Sequence, residues 1–253
     1  MIGRSLGAIR GGLGFLTRLP VPFRDGDWDA LRTTPAAFPV VGYVAGGLAA
    51  LPLLAIDSLP EPTVAFAYLL AVYAVTGIHH LDGVADLGDA LVVHGDVERR
   101  REVLKDTTTG VGAILAIAVV VAGLALAGLS LASLAAVTAV GVAVAAEVGA
   151  KLGMAAMACF GRASYEGMGR QFTEGASPAS LVAPAVLALP AAVLTWPHPA
   201  AAVALVAAVA GIGLPWVWAN HHLGGINGDI FGAANEIGRV VGVHAGVIAW
   251  TLF

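Results

Sequence analysis

The stretch VGAILAIAVVVAGLALAGL, Val111–Leu129, holds no charged residue, no proline and nothing more polar than glycine. A helix that crosses the hydrocarbon core of a bilayer needs about 20 mostly apolar residues. This stretch meets the requirement alone, and working outward from it finds others. Towards the N-terminus lie Pro62–Ile78 and Phe38–Ile56; towards the C-terminus lie Leu131–Ala158, Ser180–Leu194, Pro199–Trp218 and Phe231–Phe253. The stretch at Ser180–Leu194 is short, and the last is polar in its first half. The expected fold is therefore all-α: a polytopic membrane helical bundle of about seven transmembrane helices. The whole chain, residues 1–253, reads as one integral-membrane domain, with 1–37 as a cytoplasmic or interfacial segment and 38–253 as the bundle.

Composition agrees. Apolar residues make up 58% of the 253 and charged residues only 12%, with a mean hydropathy of +0.85. A soluble domain carries roughly a quarter of its residues as charges, so an ordinary cytosolic enzyme and a disordered chain are both excluded. Thirteen Lys and Arg against seventeen Asp and Glu leave no basic footprint for nucleic acid. The single cysteine, Cys159, excludes a disulfide framework and a cysteine-based zinc site.

The basic residues are distributed unevenly. Arg4, Arg10, Arg18, Arg24 and Arg32 precede the first span. Arg99, Arg100, Arg101 and Lys105 lie between the second and third, and Arg162 and Arg170 between the fourth and fifth. The alternate connections, near Asp57–Glu61, at Ser130 and at Trp196–His198, have no Lys or Arg. The bias places the N-terminus and the charged loops in the cytoplasm of a cell-membrane protein. Arg10 and Arg18 break any early apolar run, so no cleavable signal peptide is expected. Ile2, Leu6, Ile9, Leu13 and Leu16 mark one helical face, which fits either an interfacial helix or one packed on the bundle.

Polar residues gather beside the spans on the basic side. In HHLDGVADLGD, His79–Asp89, the acids Asp82, Asp86 and Asp89 fall at i, i+4 and i+7, within about 60° of one another on a helix. Like charges so placed repel, and a divalent cation such as Mg2+ is the simplest offset; a solvated helix end is the plainer alternative. The same spacing puts His79 rather than His80 on the acidic face, provided that Gly83 does not break the helix. In GGINGDIFGAANEIGR, Gly224–Arg239, Asp229 and Glu236 are again seven apart, after a Gly-rich entry suited to an anion. Ionisable residues within an apolar span are functional by default. In RRREVLKDTTTGVG, Arg99–Gly112, the three arginines fit phosphates, lipid headgroups or topology alone, while Lys105 and Asp106 read as site residues. Glu147 and Lys151 are four apart in the favourable order and serve either as structural glue or as cleft lining. Arg162, Tyr165 and Arg170 are cleft or lid residues without specificity.

No GxSxG and no Walker motif is present. Carboxylate groups with bases nearby suit metal-assisted phosphoryl transfer, in which Mg2+ neutralises a diphosphate, Arg or Lys holds oxygens, and a carboxylate or histidine takes a proton. The residues alone do not name the substrate.

Three stretches together resemble a known family. FLTRLPVP (Phe15–Pro22) with FPVVG (Phe38–Gly42), HLDGVADLGD (His80–Asp89) and NGDIFGAANE (Asn227–Glu236) resemble the cobalamin synthases, the adenosylcobinamide-GDP ribazoletransferases, over nearly the whole chain. The resemblance implies that a ribosyl hydroxyl of α-ribazole or its 5′-phosphate attacks adenosylcobinamide-GDP with loss of GMP, with Mg2+ as cofactor. It implies a metal and diphosphate site at Asp82, Asp86 and Asp89, and a second acidic group at Asp229 and Glu236. It implies catalytic roles for His80, Asp86 and Asp89, with Asp86 or Asp89 as general base. Lys105, Asp106, Lys151, Asn227, Asn235 and Arg239 are the expected substrate contacts. The rival readings are a CDP-alcohol phosphotransferase, whose motif lacks a match after Asp82-Gly83, and a transporter, for which no internal repeat of the acidic block is present.

Overall fold

The computed structural model describes residues 2–106 and 108–253; Thr107, in the TTTGVG turn, and the side chain of Ile2 lie outside it. Twelve α-helices and three short 3-10 segments account for the described residues, with one isolated bridge between Ala163 and Ile226. In hydrocarbon a backbone must satisfy its own hydrogen bonds, and helices do so within one segment.

The chain opens with α1 (Ile2–Leu16), α2 (Asp27–Arg32) and α3 (Ala37–Ala49). The helix α1 packs on α2 and α3 through Gly7, Ala8 and Leu16, with Ile9, Leu13 and Phe15 partly buried against the same core and Leu6 57% exposed. Arg10 fastens it through Nε to Oδ2 of Asp27 at 2.6 Å. Next come α4 (Glu61–Thr76) and α5 (His79–Val92), bent 96° from one another at Gly77, whose φ is 72°. After α6 (Val97–Val103) come the long antiparallel helices α7 (Val111–Ala132) and α8 (Ala136–Phe160). The chain ends with α9 (Met168–Gly175), α10 (Val182–Ala188), α11 (Ala200–His222) and α12 (Gly228–Leu252).

Among the described residues, four segments are long and apolar enough to cross a membrane: Ala37–Ala55, Val111–Ala132, Ala136–Phe160 and Ala200–His222. The number rises to six if α4 with α5, and Met168–Gly175 with Pro178–Val193, each count as one bent crossing. The helical membrane bundle is as the sequence implied, but the count of about seven spans is not reproduced helix for helix. Ser180–Leu194 is broken into α10 and flanking 3-10 turns, with Pro178, Pro184 and Pro190 interrupting the ladder. The expected span at Phe231–Phe253 is the body of α12, which is 25 residues long but carries Asp229, Glu236 and Arg239 in its first half.

Helix α8 is the central pillar, almost wholly buried, with α3, α11 and α12 packed around it. Its Ala and Gly residues let backbones approach closely, as membrane helices require. The segments 93–106, 161–167 and 223–227 meet at one end. Arg101 Nη2 donates to the Leu223 carbonyl at 2.7 Å, and Ser164 N–H donates to the Ile226 carbonyl at 2.9 Å. This end carries the acidic clusters.

Candidate active site

Helix α5 runs unbroken through Gly83 and Gly88. Both glycines are points of close approach. A Cβ on Gly83 would collide with the backbone of Asp229 on α12, its Cα only 3.0 Å away. A Cβ on Gly88 would stand 2.6 Å from the Gly112 carbonyl on α7. The acidic run thus serves two purposes: its small residues admit α12 and α7, and its acids are carried on the remaining face. Asp82 is exposed and Asp86 and Asp89 are half-buried; all three line a recess shared with Lys105, Asp106, Thr108 and Thr109. His79 is exposed, and His80 is buried towards α12.

Through the Gly83 contact, Asp229 comes to the same place from the first turn of α12. Burial pushes the Asp86 carboxyl up to about 7, helped by the charges of Asp229, Asp82 and Asp89. Burial and the Asp82 charge raise Asp229 too, against a lowering hydrogen bond from Asn227. Asn227 is the N-cap of α12: its Oδ1 accepts from Ile230 N–H at 3.0 Å. Its Nδ2 donates to Asp229 Oδ2 at 2.8 Å and to the Tyr165 hydroxyl at 2.6 Å. Lys105 sets its Nζ 5.0 Å from the Tyr165 ring centroid, in cation–π range. Asp106 is exposed, accepts from Thr108 N–H at 2.9 Å, and is held below the usual carboxylate range by that bond.

Asp89 behaves differently from its neighbours. Its Oδ2 accepts from Gly110 N–H at 2.8 Å and its Oδ1 from Ala113 N–H at 2.9 Å. It caps the first turn of α7, where free N–H groups and the helix dipole both favour an anion. Gly110 is required there, since a Cβ would collide with the carboxylate.

Glu236 does not join Asp229. Two turns further along α12 it is 0% exposed and receives Arg239 Nη1 at 2.6 Å. Arg239 also donates from Nε to Glu147 Oε2 at 2.6 Å. Lys151 Nζ donates to Glu147 Oε1 at 2.8 Å and to Asn235 Oδ1 at 2.6 Å, and Asn235 Nδ2 lies 3.0 Å from His80 Nδ1. Two anions and two cations are thus enclosed together, linking α8, α12 and α5. Lys151, Asn235 and Arg239, expected as substrate contacts, are at most 1% exposed and engaged with one another. The arginine triplet is divided. Arg100 donates to the Ala90 carbonyl at 2.6 Å, Arg101 holds Leu223, and exposed Arg99 pairs with Glu102 at 3.0 Å.

A sequence profile described as Cobalamin-5-phosphate synthase matches residues 8–247. The chain belongs to the cobalamin-5-phosphate synthase family. It is 52% identical to the adenosylcobinamide-GDP ribazoletransferase of Halorubrum lacusprofundi, over 98% of this chain and 99% of that one. It is 61% identical to the protein of the same name from Halobacterium salinarum, over 77% of this chain and 98% of the relative. The one from Haloquadratum walsbyi is 43% identical over 98% and 99% of the two chains. No solved structure matches.

For this cobalamin-5-phosphate synthase family member the fit of a metal can be tested on the acids themselves. Among the described residues no three His, Cys, Asp or Glu side chains stand close enough to form a ready-made cage. Mg2+ does not ask for one: it keeps waters and takes one or two carboxylates together with substrate phosphates. Asp82, Asp86 and Asp229 supply hard oxygens, and the charges of Asp229 and Asp82 add to burial in raising Asp86, so the donor set fits Mg2+ in charge and chemistry. The sequence reading took Tyr165 as a cleft or lid residue without specificity. It reaches the site across 62 residues of chain, through Asn227, a separation that no local pattern encodes.

Proposed function

We propose that this chain is an adenosylcobinamide-GDP ribazoletransferase, joining α-ribazole or its 5′-phosphate to adenosylcobinamide-GDP with release of GMP. Family membership supports the activity. The observation that supports this end of the molecule as the site is the meeting of Asp82 and Asp86 with Asp229 beside Lys105. Asp82 and Asp229 would hold Mg2+. Bound there, it supplies neutralisation of the diphosphate and of the departing phosphate. Lys105 holds phosphate oxygens, its ammonium set over the Tyr165 ring. The acceptor hydroxyl oxygen bonds to the cobinamide-side phosphorus as the bridging P–O bond breaks, and GMP leaves with the bridging oxygen. Asp86 takes the hydroxyl proton, since a base poised near neutrality is the effective one. Asp89, whose two oxygens already accept the Gly110 and Ala113 N–H groups, acts as a positioning residue for α7. The excess of Arg and Lys in the connecting loops at this end supports a cytoplasmic site in a cell-membrane protein.

The test is GMP release by the purified, detergent-solubilised chain, with Mg2+ or with chelator. GMP appearing only with both substrates and Mg2+ is the expected result. CMP release from a CDP-alcohol, or no transfer by folded protein, would overturn the proposal. Asp82→Asn should remove turnover while the protein stays monodisperse; near-normal activity would refute the metal assignment.

A further inference from the structure

A cavity of about 350 Å3 opens beside Asp229, between α1, α3, α5, α8, α9 and α12. Phe15, Phe38, Met154, Met168, Phe172 and Phe231 line it. Phe172 stands 6.2, 5.6 and 5.7 Å, centroid to centroid, from Phe15, Phe38 and Phe231, tilted or edge-on to each. Aromatic and methionine walls suit a flat, largely apolar ring. The volume is that of a small-molecule site and well short of a corrinoid nucleotide.

Three polar groups interrupt these walls: Asp229, His80 and, at the exposed mouth, His79. The protonation of His80 follows from its neighbours. Lys151 can only donate, so the Asn235 atom 2.6 Å from it is the amide oxygen. The amide nitrogen then faces His80 and donates to Nδ1 at 3.0 Å. Nδ1 being an acceptor, the ring proton of the neutral imidazole sits on Nε2, and no group among the described residues accepts it. His80 is 8% exposed, and its Nε2, without a protein partner, keeps the residue's access to the cavity.

We infer that this cavity is the subsite for the heteroaromatic base of the acceptor nucleoside, with His80 Nε2–H donating to the base's unsubstituted ring nitrogen. The inference rests on the acceptor named under the proposed function. A benzimidazole riboside is flat and apolar at one end, bears one ring-nitrogen acceptor, and ends in sugar hydroxyls. With its base between the phenylalanines, the sugar emerges at Asp229, among the acids. The buried ion pairs thereby gain a second role: through Asn235 they fix the tautomer that reads the base.

The test is steady-state GMP release by the full chain, varying each substrate in turn. Met168 is 41% exposed, so Met168→Trp narrows the cavity at a position with room for a larger side chain. Its KM for α-ribazole should rise about tenfold or more while its KM for adenosylcobinamide-GDP stays within about twofold. A rise confined to adenosylcobinamide-GDP, an equal rise in both, or no change would overturn the inference and leave the activity standing. Wild-type protein that releases no GMP would instead overturn the activity, and titration of α-ribazole fluorescence would then decide the cavity. Binding lost in Met168→Trp supports it. Binding absent from wild type, or unaffected by the substitution as when a detergent tail is the true occupant, overturns it. Should Met168→Trp not fold, Phe15→Ala is expected to accept a riboside of a larger tricyclic base that wild type rejects; an unchanged preference counts against the assignment.

Discussion

Asp86 and Asp89 are one helical turn apart and chemically identical, yet their surroundings give them opposite tasks. Asp89 is satisfied by two N–H groups at the start of α7. Asp86 faces other acids, and its carboxyl is raised to about 7. Its ordinary value is 3.8, so the folded protein keeps a proton that the unfolded chain releases. The stability this confers is complete below about pH 4 and is lost as pH rises to about 7. In chelator the unfolding midpoint should therefore be lower at pH 8 than at pH 6, with Mg2+ restoring it at pH 8. Asp86→Asn should flatten this dependence; an undiminished slope in that variant would show that Asp86 is not its source. The sequence made the acidic run legible, because i, i+4, i+7 spacing is local information. It did not separate cap from base. That difference is set by Gly110 and Ala113, which reach Asp89 from beyond the α6 loop.

At the scale of elements, the long apolar stretches were readable because hydropathy is a property of the segment alone. Val111–Ala132 and Ala136–Phe160 lie close to where the sequence placed them. The sequence ended one span at Ile78, where it turns polar, and marked Ser180–Leu194 as short; the 96° angle at Gly77 and the break into 3-10 turns were not readable, because hydropathy carries no information on direction. Glycines in the acidic run also read differently once neighbours are known: they are crossing points. Gly88 and Gly112 bring α5 and α7 into backbone contact. Gly112→Leu would force the helices apart at about 1–3 kcal/mol. It should lower thermal stability measurably and reduce turnover by displacing the acids; a variant with wild-type unfolding and activity would show that the crossing tolerates bulk.

For the whole molecule, the buried cluster of Glu147, Lys151, Glu236 and Arg239 ties the central pillar to the helix that carries Asp229. The sequence showed Glu147 and Lys151 as a pair and Glu236 as an acid like Asp229. Only packing shows that Glu236 points into the pillar, because a shared helical face is no guarantee of a shared environment. Glu147→Gln leaves Arg239 and Lys151 short of their anion in a dry interior. A loss of about 3–5 kcal/mol is expected from breaking one partner of a buried pair. Chemical unfolding in detergent measures it, and a loss under about 1 kcal/mol would show that water reaches the cluster.

The meeting of α5 and α12 at Gly83 has a consequence for the lipid. Helices accommodate thinner or thicker bilayers by tilting, and a site strung between two helices by long side chains would open and close with them. Here backbone rests on backbone, with Asp229 seated against Gly83. That contact is a mechanical stop that leaves little slack between the two halves of the acidic site. Turnover in vesicles should therefore change little between short-chain and long-chain lipids. Enlarging residue 83, as in Gly83→Ala, should both lower activity and make it follow membrane thickness.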